Sequence, residues 1–153
     1  MTFHVIGVGN ADRGDDGVGR LVARLIMPRA PAHTRIEESD GEVTALLRLI
    51  TGAQYIWLVD AAQSAAPPGT VHRIDCTTLD AIVPRGGVSS HGLGAAEAIA
   101  LARALGTLPP HCIIYAIEAA DFTPGASPSP EVVDAAQEVA ERILGELATL
   151  QPP

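Results

Sequence analysis

The chain has few cysteines, few basic residues and no long hydrophobic run. Cys76 and Cys112 form neither a CxxC motif nor a disulfide framework, which indicates a reducing compartment. Ten arginines and lysines stand against 18 acidic residues, and the net charge of −8 argues against nucleic acid and anionic membranes as partners. No segment is long and apolar enough for a membrane span or a signal peptide. We therefore expect a cytoplasmic protein that binds neither membrane nor nucleic acid.

Two common catalytic motifs are absent as well. The sequence has no HExxH zinc motif, and no nucleophilic triad can be recognised in it. Ser89 and Ser90 directly precede His91, but adjacency in sequence is no evidence for a Ser–His couple. Four further histidines have no evident acidic partner in the sequence: His4, His33, His72 and His111.

Strand and helix patterns alternate along the chain. With 153 residues, of which 47% are hydrophobic, the chain can bury a sizeable core, and we expect a single domain over residues 1–150. Apolar runs predict strands over 3–8, 35–38, 55–59, 70–75 and 112–117, with the fourth as a possible edge strand. Helical spacing predicts helices over 18–26, 43–50 and 93–105, and a last helix starting near Pro130 with Ser129 as its cap. This order predicts an α/β fold, a three-layer αβα sandwich around a mainly parallel, twisted sheet of about five strands.

A glycine-rich loop follows the first strand, as in nucleotide-binding proteins. Gly7 and Gly9 match the first and third positions of the dinucleotide fingerprint, but its sixth position is Asp12. Glu37 or Glu38 stands where the acid that binds the ribose is expected. A nucleotide-binding α/β domain therefore stays open as an alternative, although a pyrophosphate would have to lie against several carboxylates.

The acidic residues of this loop favour a cation over a phosphate. The loop carries Asp12, and Asp15 and Asp16 follow where the next helix begins. Aspartate often caps a helix, and we assign that role to Asp15. Capping needs only one acid, so Asp16 remains available for chemistry.

Asp16, Asp60 and His91 are expected to meet at one edge of the sheet. Asp16 follows the first strand, Asp60 ends the third, and His91 precedes the third helix, so all three lie at the carboxyl ends of the strands. Two carboxylates and one imidazole suit a divalent metal ion of intermediate softness, and they leave coordination positions open for a substrate. Each residue also has a simpler interpretation, because Asp60 can be a turn residue and His91 a surface or capping residue.

Several blocks of the sequence together resemble the hydrogenase maturation protease family over nearly the whole chain. The resemblance rests on Gly7-Val8-Gly9-Asn10 with Asp15-Asp16-Gly17-Val18-Gly19, on Val59-Asp60-Ala61 and Pro68-Gly69-Thr70-Val71, on Ser89-Ser90-His91, and on Ser129-Pro130-Glu131-Val132. The first block, together with the downstream aspartate and histidine, is its specific part. A fold of the phosphorylase/hydrolase-like type is implied.

The family resemblance implies a function and assigns the site. Such endopeptidases remove the C-terminal extension of the large-subunit precursor of nickel–iron hydrogenases. Their metal-recognition residues correspond here to Asp16, Asp60 and His91. In some relatives the first ligand is a glutamate, and Asp16 has a shorter reach. An acid implicated in cleavage follows the second strand in the family, and Asp40 is the candidate here, although Glu38-Ser39-Asp40-Gly41-Glu42 matches that pattern loosely.

The resemblance also implies that nickel arrives with the substrate. The metal is bound to cysteines of the immature large subunit, so we expect no tightly held metal in the protease itself. Nickel can orient the substrate, polarise the scissile carbonyl or activate a water molecule. An aspartic-type mechanism, with Asp16 and Asp60 sharing a proton, is an alternative that leaves His91 without a role. A non-enzymatic nickel-site chaperone or checkpoint protein would use the same three residues without cleavage.

Overall fold

A five-stranded sheet organises the part of the chain that the structure describes. The computed structural model describes residues 2–78 and 94–150. The strands are β1 (Phe3–Val8), β2 (Thr34–Ser39), β3 (Tyr55–Ala62), β4 (Val71–Asp75) and β5 (His111–Glu118). They are arranged in the order β2-β1-β3-β5-β4, and every neighbouring pair is parallel except β4 with β5. The mainly parallel α/β sheet and the edge position of the fourth strand, both predicted from the sequence, are confirmed.

Helices cover both faces of this sheet. They are α1 (Val18–Ile26), α2 (Val43–Ile50), α3 (Ala95–Leu105) and α4 (Pro130–Leu150). The core beneath α1 and α4 is formed by apolar side chains that include Val22, Trp57 and Val139. On the opposite face, Leu58 and Ile114 pack with residues of α2 and α3. This is the predicted three-layer sandwich.

Strand β3 runs further than its sequence pattern suggests. Asp60 was expected to end the strand, but β3 continues to Ala62 and pairs with β5 as far as Glu118. The small side chains of Ala61 and Ala62 are fully buried, so the strand extends into the interior instead of turning outward. Asp60 is consequently a buried strand residue.

Two glycines allow the loop after β1 to pack closely against the sheet. A Cβ atom on Gly9, whose φ is +137°, would lie 1.9 Å from the carbonyl oxygen of Asp16. A Cβ atom on Gly19 would lie 2.1 Å from the carbonyl oxygen of Val59. Both distances are far below van der Waals contact, so the glycines bring the segment that carries Asp16 down onto the end of β3.

The start of α4 corrects one prediction. Pro130 occupies the first turn as expected, and the backbone carbonyl of Ser129 accepts hydrogen bonds from the amides of Val132 and Val133. The Ser129 hydroxyl does not cap the helix but donates to Asp15.

Within the described residues, no helix combines the length and the apolar character that crossing a membrane requires.

Candidate functional site

Asp16 lies in a short 3-10 turn, Gly14–Gly17, directly before α1. Its side chain is almost completely buried, with 2% of the residue exposed. The Oδ2 atom accepts a hydrogen bond of 3.1 Å from the backbone amide of Asn10. The Oδ1 atom is also buried and has no hydrogen-bond partner among the described residues. A buried carboxylate oxygen without a partner is costly, so this atom has the capacity to accept a further ligand.

Asp60 lies beside Asp16 on the face of the sheet that α2 and α3 cover. It is fully buried. Its Oδ1 atom accepts a 2.8 Å hydrogen bond from the amide of Ala61, and its Oδ2 atom accepts one of 3.4 Å from the amide of Ala95 at the start of α3. Burial raises the pKa of Asp60 well above its usual range, and the negative charge of Asp16 raises it further. The two carboxylates can therefore share a proton or be neutralised together by a cation.

The raised pKa of Asp60 predicts a pH-dependent stability. The pKa of Asp60 is higher in the folded protein than in the unfolded chain, where it is about 3.9. Protonation of Asp60 therefore stabilises the folded state at low pH. This stabilisation is lost as pH rises through the pKa of Asp60 in the folded protein. Asp60→Asn has no such titration. We therefore expect the variant to gain stability relative to the wild type as pH rises above about 4. Thermal unfolding of both proteins between pH 4 and 8 measures this, and a difference in midpoint that is independent of pH contradicts it.

Asp15 has a structural role that differs from the predicted helix cap. Its carboxylate accepts hydrogen bonds from the amides of Ala120, Asp121 and Ser129 at 2.7, 2.9 and 2.6 Å, and from the Ser129 hydroxyl at 2.9 Å. The residue is fully buried. Asp15 therefore holds the connection between β5 and α4 against the loop after β1. Asp15 is thus saturated with hydrogen bonds, whereas its neighbour Asp16 has one oxygen that no described residue binds.

Asp40 lies in the loop after β2, at the same edge of the sheet. The loops after β1 and β2 contact each other, since the amide of Gly9 donates to the carbonyl oxygen of Ser39 at 2.9 Å. Asp40 is exposed, and its Oδ1 atom accepts a 3.0 Å hydrogen bond from the amide of Glu42. Its carboxylate therefore closes a local turn in this structure. Asp40 remains a candidate for the acid implicated in cleavage.

The predicted third member, His91, lies outside the described residues. In residues 2–78 and 94–150, no three histidine, cysteine or acidic side chains converge in a group that can hold a metal ion. The structure thus brings Asp16 close enough to Asp60 for their charges to interact, and both residues are buried.

The geometry of the loop argues against nucleotide binding. The backbone amide of Asn10, a group that a phosphate would need, is already occupied by Asp16. Glu38, one of the two candidates for ribose recognition, is bound by Arg20 at 2.9 Å and by Arg24 at 3.0 Å. Its hydrogen bond with Arg20 is the main reason that its pKa is lowered. Glu38 therefore ties β2 to α1.

His72 has an acidic partner that could not be recognised in the sequence. The Nε2 atom of His72, on β4, lies 2.8 Å from Oε1 of Glu118, which is buried at the end of β5. Glu118 also accepts hydrogen bonds from the amide of Ser64, at 3.0 Å, and from the Ser64 hydroxyl. We call Glu118, His72 and Ser64 the Glu118 cluster. Glu118 is 46 residues from His72 and 54 from Ser64, and the antiparallel placement of β4 beside β5 brings His72 to it.

Comparisons with known proteins agree on one family. The family model of the hydrogenase maturation proteases matches residues 41–146. The hydrogenase expression/formation protein HupD of Thiocapsa roseopersicina is 24% identical over 147 residues, which cover 94% of this chain. The chain spans 66% of the length of HupD.

Solved structures of similar fold include hydrogenase maturation proteases. The maturation protease HycI of Thermococcus kodakarensis superposes with a TM-score of 0.70 at 22% identity, over 96% of this chain and 92% of that one. The maturating endopeptidase HybD of E. coli gives 0.71 at 21% identity, over 97% and 93%. A further Escherichia coli endopeptidase gives 0.79 at 21% identity, over 96% and 92%. These similarities confirm the predicted fold.

Proposed function

Because this chain belongs to the hydrogenase maturation protease family, we propose that it is an endopeptidase that removes the C-terminal extension of the large-subunit precursor of a nickel–iron hydrogenase. The observation that carries this proposal is the paired burial of Asp16 and Asp60, with one oxygen of Asp16 left unpartnered among the described residues. This oxygen of the buried pair can bind a ligand that comes from outside the chain.

Nickel bound to the precursor is the ligand that this proposal assigns to the site. Carboxylate oxygens bind divalent cations, and a cation between Asp16 and Asp60 would relieve the repulsion that helps to raise the pKa of Asp60. His91 is proposed as the third ligand. Two carboxylates and an imidazole do not select nickel over other divalent ions, which supports delivery of the metal by the substrate instead of resident binding.

Two chemical routes to peptide cleavage are compatible with the pair of aspartates. In the first, Asp16 and Asp60 dock the nickel of the precursor, which orients the scissile peptide and can polarise its carbonyl group. In the second, the aspartates share one proton, with Asp60 as the protonated partner because of its raised pKa. We favour the first route, since it gives His91 a role. Asp40, at the same end of the sheet, is the proposed acidic residue that the family pattern implicates in cleavage.

We also propose a partner, a domain organisation and a location for this protein. The partner is the large-subunit precursor, and residues 1–150 act as one domain. This is supported by α4, the last described element, which packs with α1 on the same core. A cytoplasmic location is supported by the low cysteine content, because Cys76 and Cys112 form neither a CxxC motif nor a disulfide framework.

Incubation with a nickel-loaded precursor tests the proposed function. The large subunit should become shorter by a defined C-terminal peptide, which mass spectrometry of both products identifies. A stable complex with an intact precursor would instead establish a chaperone or checkpoint protein and overturn the endopeptidase. Asp134→Asn is a suitable control variant, because Asp134 is exposed on α4.

A further inference from the structure

The Glu118 cluster lies on the same face of the sheet as Asp60 and, like Asp60, near the carboxyl ends of β3 and β5. In the register, Asp60 of β3 pairs with Ala116 of β5, and His72 of β4 pairs with Ala116 from the other side. Paired residues of neighbouring strands project to the same face. Within the sheet, the methyl side chain of Ala116 thus lies between Asp60 and His72.

This register sets the distance between the two groups. Neighbouring strands lie about 4.8 Å apart, so the backbones of Asp60 and His72 are roughly 10 Å apart. An extended peptide rises about 3.3 Å per residue, so about three residues of a substrate span this distance. The other described histidines lie at the opposite edge, since His4 and His111 are at the amino ends of β1 and β5 and His33 precedes β2.

The hydrogen bond with Glu118 orients the imidazole of His72 and fixes which of its nitrogens can accept a proton. A carboxylate only accepts hydrogen bonds, so at 2.8 Å the Nε2 atom of His72 carries the hydrogen and Nδ1 is the basic nitrogen. The side chain of Glu118 is 1% exposed and that of His72 is 28% exposed. A buried carboxylate that orients a partly exposed imidazole is the arrangement by which enzymes position a general base.

We propose that His72, oriented by Glu118, is a further catalytic residue of this endopeptidase and acts as its general base and acid. The inference rests on the proposed function. In the first step, Nδ1 takes a proton from a water molecule, whose oxygen forms a bond with the scissile carbonyl carbon. The carbon–nitrogen bond then breaks, and the same proton passes to the leaving nitrogen. Water is the only co-reactant, and no electron is transferred.

The variant His72→Gln separates catalysis from structure. The glutamine amide can donate to Glu118 in place of Nε2 but cannot exchange a proton as imidazole does. We expect kcat for precursor processing to fall by about 100-fold or more, with KM within about threefold of the wild type and little change in thermal midpoint. Imidazole added to His72→Ala should restore part of the lost rate. His33→Asn is the control, because asparagine tolerates the positive φ of 65° at that position.

The outcomes distinguish this inference from the proposed function. If the wild type processes the precursor and His72→Gln does so at the same kcat, His72 is structural and the inference is overturned. If the wild type itself leaves the precursor intact, the proposed function fails and the inference fails with it. Should His72→Gln not fold, the double variant His72→Gln/Glu118→Gln leaves no buried charge unpaired and must show the same loss of kcat.

Discussion

Asp60→Asn is expected to stop removal of the C-terminal extension while the protein stays folded. Asparagine has nearly the same shape and keeps an oxygen that can accept from Ala61 or Ala95, the two amides that Asp60 now binds. It can carry no negative charge, so the docking of a metal-bearing substrate and proton sharing with Asp16 are both lost. We expect a fall of about 100-fold or more in kcat/KM, since even outer-shell changes at metal sites cost about 10–100-fold.

The control for this prediction is another aspartate-to-asparagine change. Asp134→Asn removes one negative charge from the exposed surface of α4 and should process the precursor at the wild-type rate. Circular dichroism establishes that both variants are folded. Processing by Asp60→Asn at a rate close to that of the wild type would remove Asp60 from the site.

Asp15→Ala is expected to have the largest effect on stability. The change leaves the amides of Ala120, Asp121 and Ser129 without the carboxylate that binds them. Each buried amide that loses its partner costs about 1–3 kcal/mol, part of which water recovers. We expect the free energy of unfolding to fall by about 3–5 kcal/mol and the thermal midpoint by roughly 10 °C.

Asp12→Ala is the matched control in the same loop. Asp12 is exposed, so the change should alter stability by no more than about 0.5 kcal/mol. Thermal and urea unfolding of both variants give the comparison. Equal midpoints for Asp15→Ala and Asp12→Ala would show that Asp15 does not hold the β5–α4 connection.

The pairing of Asp16 with Asp60 could be predicted because it depends on a simple property of parallel sheets. Carboxyl ends of parallel strands share one edge, and the apolar runs of β1 and β3 are easily recognised. The extension of β3 beyond Asp60 was missed, because a carboxylate inside a buried strand runs against the usual pattern. Only its pairing with β5 shows that Ala61 and Ala62 continue the strand.

Contacts between distant segments could not be predicted from local patterns. Asp15 and Ser129 are 114 residues apart, and each was assigned to a nearby helix cap because capping is what such residues do locally. His72 and Glu118 meet only because β4 lies antiparallel to β5. The direction of an edge strand depends on the connections before and after it, which periodicity does not describe.

The nickel dependence of processing tests the central claim most directly. The purified wild-type protein, treated with chelator and then freed of it, is incubated with the same precursor in nickel-loaded and nickel-free form. Mass spectrometry of the large subunit follows the reaction. If Asp16 and Asp60 bind the nickel that the substrate carries, the nickel-loaded precursor is shortened and the nickel-free precursor stays intact. Equal shortening of both forms would contradict recognition through nickel, even though the protein would still be an endopeptidase.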